Sequence, residues 1–206
     1  MKRKLVTFMA LLASLSLAQT PTNTRSHNIT VNVPPVLRLS LDATEYLFDF
    51  TAGDPDDPVE YNSLNFPKAT IAAYGNFLDD ASKTTQLFAP TSIAGTSNDY
   101  GTLRINTNQG QWVVKIDEIT GNLVTPLSNN RLKVHAVRDA GNGSSLTGGP
   151  GGTNLAAGID IIGATGSGQG RSVYKLYYLL EMNINDEFPN TNYSRTITVK
   201  LLLTTP

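Results

Sequence analysis

Residues 172–184 read SVYKLYYLLEMNI, and the way they alternate decides the fold. In an extended chain successive side chains point to opposite faces. That puts Tyr174, Leu176, Tyr178 and Leu180 on one face and Val173, Lys175, Tyr177 and Leu179 on the other. Both faces carry apolar side chains, so the segment belongs at the centre of a sheet or beneath a covering partner.

The same period-two pattern recurs outward from this strand. It is found in VLRLSL (36–41), EYLFDFT (45–51), YGTLRINT (100–107), QWVVKIDEI (111–119), NRLKVHAV (130–137) and YSRTITVKLLLTT (193–205). HNITVNV (27–33) follows it too, with Ile29, Val31 and Val33 to one side. Pro34 and Pro35 cannot donate to a ladder, so they separate or bend the strands on either side of them. Between the strands lie turn-forming clusters: AGDPDDP, NTNQGQ, TGNLVTP, GNGSSLTGGPGG and NDEFPNTN. No segment carries a helical stripe of ten residues or more. AAYGNFLDDASKTTQLF (72–88) is the best helix candidate, and Gly75 argues against a regular one. Strands at this spacing predict an all-β sandwich or barrel.

The N-terminus sets the compartment. Lys2, Arg3 and Lys4 precede an apolar stretch from Leu5 to Leu17, and small residues end at Ala18. This is the pattern of a removable signal peptide over residues 1–18, and the stretch is shorter than the roughly 20 residues that span a bilayer. Residues 19–26 read as a flexible leader and 27–206 as a single domain, secreted to the extracellular space or cell surface, with no transmembrane segment in the mature chain. Removing residues 1–18 takes away three cations and no acid, so the formal charge moves from −1 to −4. A nucleic-acid partner is disfavoured on that balance. The chain has no cysteine, hence no disulfide and no thiolate chemistry.

Few motifs carry chemistry. GATGSGQGRS (163–172) lacks the lysine and hydroxyl of a phosphate-binding loop at their required spacing and precedes a strand instead of a helix. Eleven of the seventeen glycines lie between Gly141 and Gly170, which marks a long glycine-rich loop. Asp54, Asp56, Asp57 and Glu60 crowd one turn, where clustered carboxylates could chelate calcium; Pro58 and a missing glycine exclude an EF-hand, and a solvated turn is the plainer account. No other cofactor is expected. His135 shares a strand face with Lys133 and Val137 and reads as exposed or half-buried, without a second histidine at metal-ligand spacing. No G-x-S-x-G occurs, and the acidic pairs Asp79–Asp80, Asp117–Glu118 and Asp186–Glu187 point their members to opposite faces wherever they lie on strands. No catalytic residue is assigned. Trp112, Tyr174, Tyr177 and Tyr178 would serve either as core or as a sugar-binding aromatic platform.

The C-terminal stretch YKLYYLLEMNINDEFPNTNYSRTITVKLLLTTP resembles the closing hairpin of bacterial secreted surface β-sandwich domains, such as envelope, fimbrial and spore-coat-like subunits. Two departures stand out: the paired cysteines common in fimbrial subunits are absent, and Asn190 stands where a glycine usually follows the turn proline. The resemblance implies an antiparallel β-sandwich, Ig-like or jelly-roll-like, and a structural subunit that associates with itself or with another envelope protein. Strand donation by Ile29, Val31 and Val33 is the mechanism expected, and pairing of the same residues within their own chain is the plainer alternative. A carbohydrate-binding module, with a glycan as partner, is the second reading and a glycosidase-like enzyme the third.

Overall fold

A long strand apolar on both faces needs cover on both, and the fold supplies it. The computed structural model describes residues 28–53, 58–61, 63–145, 151–189 and 193–206. In chain order its elements are β1 (Leu37–Leu41), β2 (Glu45–Leu47), β3 (Val59–Tyr61), β4 (Leu64–Phe66), the helix α1 (Ile71–Asp79), β5 (Thr85–Phe88), β6 (Ser92–Ala94), β7 (Gly101–Thr107), β8 (Val113–Thr120), β9 (Leu132–Ala140), β10 (Ser144–Ser145), β11 (Thr153–Asn154), β12 (Asp160–Gly163), β13 (Gly170–Asn183) and β14 (Thr198–Thr204).

The protein is all-β, with two larger antiparallel sheets packed face to face and two further two-stranded sheets, β2–β6 and β3–β4. In the larger sheet the order is β1-β7-β13-β9-β11, and β5 pairs with the far end of β13. β13 is its central strand, flanked by β7 and β9. The smaller sheet runs β10-β12-β8-β14. Between them lie Leu103 and Ile105 of β7, Val134 and Ala136 of β9, and Tyr174 and Leu176 of β13, packed against Val114 and Ile116 of β8, Ile162 of β12 and Leu203 of β14. Trp112 is fully enclosed there, and its indole Nε1–H donates to the Gly168 carbonyl at 2.9 Å. Tyr174 donates its hydroxyl to the Asn142 carbonyl at 2.6 Å. Gly143 lets the chain pass over both rings: its φ is +94°, and a Cβ there would lie 2.4 Å from Tyr174 Oη and 2.8 Å from the Trp112 ring.

A second apolar cluster covers the outer face of β13. Val59 and Tyr61 of β3 and Phe66 of β4 form a hairpin that lies over Tyr177 and Leu179. Tyr61 stacks between Phe66 and Tyr177, with ring centroids 4.9 Å away on each side.

Four expectations change. Residues 28–33 form no strand despite their alternation; Pro34 and Pro35 detach them from β1, and Pro34–Pro206 form the compact unit without them. α1 runs through Gly75, because Thr70 caps its first turn by accepting from the Ala73 amide at 3.2 Å and Phe77 anchors it to the core. His135 is buried beneath the β3–β4 hairpin, neither exposed nor half-buried. Finally, the glycine-rich stretch contains β10, β11 and β12, and its Ile161 and Ile162 belong to the core.

Candidate assembly site

The site is built from a root, a segment and an edge. The root is Pro34–Val36, tied to the end of β7 by one side chain. Asn108 accepts from the Val36 amide at 2.7 Å through Oδ1 and donates to the Pro34 carbonyl at 2.8 Å through Nδ2. Before the root comes the segment of residues 28–33, every one of them exposed. Ile29, Val31 and Val33 are 79%, 75% and 72% exposed. Three β-branched side chains at period two, left in water, forgo the roughly 1.5–3 kcal/mol that burial of each would return.

The edge lies where the sandwich is least closed. β1 ends the larger sheet and β14 ends the smaller one, and the two strands are neighbours on that side of the molecule. The outer backbone of each has no ladder partner among the described residues. Leu37, Leu39 and Leu41 share the inward face of β1, opposite Thr107, Ile105 and Leu103. Whereas Leu103 and Ile105 are fully enclosed, Leu39 and Leu41 are only partly covered and Leu37 is 38% exposed. Val199 and Leu201 of β14 are likewise only partly covered. Unpaired backbone beside incompletely buried leucines and a valine is what an added strand would complete.

The other candidate residues fall elsewhere. Asp54, Asp56 and Asp57 lie outside the described residues, while Glu60 is exposed on β3. Among the described residues no three of His, Cys, Asp and Glu come together as a metal site would require. Trp112, Tyr174 and Tyr177 are buried, and Tyr178 packs edge-on against Tyr46 at 4.7 Å, so these rings make no exposed platform. Burial pushes the Tyr174 and Tyr177 hydroxyls up to about 12.

Asp117 and Glu118 do converge, against expectation. Lys200 of β14 pairs with Glu118 and Leu201 with Ile116, so Asp117 is the extra residue of a bulge. A bulge sets two neighbouring side chains to one side, and both carboxylates reach Lys200 Nζ, at 3.1 and 3.9 Å. Asp186 is held by Arg131 at 3.3 Å and by the Asn183 amide at 2.7 Å.

His135 was missed as a buried group. It lies against the Tyr61 ring at 5.0 Å, and its Nδ1 has no hydrogen-bond partner among the described residues. Desolvation lowers its pKa from the ordinary value. No signal in the sequence pointed to its cover, since VEYNSLNF (59–66) forms two strands too short to show alternation.

No family model, curated protein or solved structure matches the chain. Among the described residues no helix is long and apolar enough to cross a membrane.

Proposed function

We propose that this protein is an exported structural subunit of a bacterial surface, which associates by giving residues 28–33 as a strand to the β1/β14 edge of a second subunit. The observation that carries the reading is the exposure of Ile29, Val31 and Val33 beyond the Pro34–Pro35 break. Segment and edge are complementary. The donated residues alternate as the receiving sheet requires, and they would cover the partly buried leucines of β1 while the backbone completes a ladder. The prolines keep the segment from folding back as a continuation of β1 and so leave it for another chain.

Val31→Asp tests this. The side chain is in water in the subunit, so the variant is expected to keep the far-UV circular dichroism and the Tm of the parent protein. In the assembly the same carboxylate would be buried without a partner, at a cost on the order of several kcal/mol, so size-exclusion chromatography is expected to show oligomers for the parent and monomers for the variant. A parent protein that stays monomeric at high concentration, a variant that assembles like its parent, or a variant that fails to fold overturns the proposal.

A further inference from the structure

The outward face of the larger sheet is divided in two. One half lies under the β3–β4 hairpin. Over β1, β7 and the start of β13 the face is bare, and what it presents there is positive charge. Register lines up Arg38 of β1, Asn106 of β7 and Arg171 of β13 in one row, with Ser40, Arg104 and Val173 in the next. Neighbouring strands lie about 4.8 Å apart and alternate residues about 7 Å apart, so the Cα atoms of Arg38 and Arg171 stand about 10 Å from each other with Arg104 set between them, one repeat along. A groove of about 720 Å³ runs over Arg38, Arg104, Asn106, Arg171 and Val173, with Ser40 beside Arg104 outside its lining.

All three arginines are exposed. None forms an ion pair among the described residues, whereas Lys68, Arg131, Lys133, Lys175 and Lys200 each hold an acid. The acid whose field Arg104 feels, Asp42, already accepts a hydrogen bond from the Thr102 amide at 2.5 Å. Three unpaired guanidinium groups on a chain of net negative charge are a local reversal of sign, and their mutual repulsion is relieved by an anion.

The lining says which anion. The Asn106 side chain makes no hydrogen bond among the described residues and stands between Arg38 and Arg171 in the groove, and Ser40 stands beside Arg104 at its margin. An amide and a hydroxyl set among forked cations match hydroxyl groups set among carboxylates or phosphates. The groove has no aromatic ring on which a base could stack, and three cations are few for a duplex. Strands paired on both sides offer no backbone to a peptide at the groove's centre.

We infer that this groove binds an anionic polysaccharide, with Arg38, Arg104 and Arg171 gripping its carboxylate or phosphate groups and Asn106 in the groove and Ser40 beside it meeting its hydroxyls. The three arginines lie on the outward face of the sheet and the donated strand would lie at its edge, with Val36 and Asn108 of the root at one end of the groove.

Calorimetric titration at low salt, with alginate, a phosphorylated mannan, neutral dextran and duplex DNA as probes, tests it. Alginate or the mannan is expected to bind, the tighter of the two identifying the anion, and dextran and DNA are not. Affinity is expected to fall about tenfold for each of Arg38→Gln, Arg104→Gln and Arg171→Gln, each of which removes one charge-assisted contact. The Tm of Arg38→Gln and of Arg171→Gln is expected to match the parent's, since these side chains make no ion pair among the described residues, and that of Arg104→Gln to fall only slightly with the loss of its field on Asp42. Failure of both anionic probes to bind, equal binding by the triple variant, or tighter binding of DNA overturns the inference.

Discussion

His135 is a titratable group that the fold keeps dry. Its surroundings are Tyr61 of the hairpin and, from β13, Tyr177, its partner across the ladder. Since desolvation sets the folded-state pKa below the ordinary value of about 6.5, the unfolded chain takes up a proton there before the folded chain does. Stability is therefore full above about pH 6.5 and is lost as the pH falls below it. Asp42 titrates in a different window: burial raises its carboxyl, but hydrogen bonds from Thr102 and the field of Arg104 outweigh this and hold it below the usual 3.8. Its contribution is lost only at stronger acid. A Tm measured at pH 7, 6 and 5 is expected to fall for the native protein, and His135→Phe, which keeps a flat ring against Tyr61, is expected to remove most of that fall. Equal slopes for the two proteins would mean that the imidazole is solvated.

Among the elements, α1 carries a removable weakness. Gly75 has ordinary helical backbone, and a Cβ there would meet nothing within 4 Å. Glycine costs a helix interior roughly 0.5–1 kcal/mol relative to alanine, so Gly75→Ala is expected to raise Tm by about 1–4 °C; a lower Tm would place an unseen neighbour over that face. The long strands were legible because alternation was strong and unbroken: β1, β7, β8, β9, β13 and β14 all fall within or across the segments expected. Short elements were not. The core run Ile161–Ile162 is flanked by glycines and has no alternation to announce β12, and the hairpin over Tyr177 and Leu179 could not be inferred from two three-residue strands. Alternation also overstated itself once, at residues 28–33, where pattern without a partner made no strand. Of the candidate sites, the exposed segment could be suspected from its prolines. The arginine face could not, because Arg38, Arg104 and Arg171 meet only through the register of three strands far apart in the chain.

For the molecule as a whole, connectivity matters more than the length of any strand. β7 and β8 lie in different sheets, β9 returns to the first, β12 belongs to the second and β13 to the first again, and β14 closes the second. Nearly every pairing is therefore between residues distant in sequence, and loop-closure entropy must be met before any of them is rewarded. Refolding followed by the fluorescence of Trp112, the one tryptophan, set in the core that both sheets share, is expected to be complete no sooner than the millisecond-to-second range typical of such topologies. A microsecond phase carrying the full amplitude would mean that the sheets form from local contacts. The same wiring bears on biosynthesis. A ribosome delivers Val113, Val114 and Ile116 long before residues 198–204, so for the time between, β8 travels with one edge bare and with no Leu203 to close the core around it. Whatever escorts the nascent chain handles that bare strand until β14 arrives to pair with it.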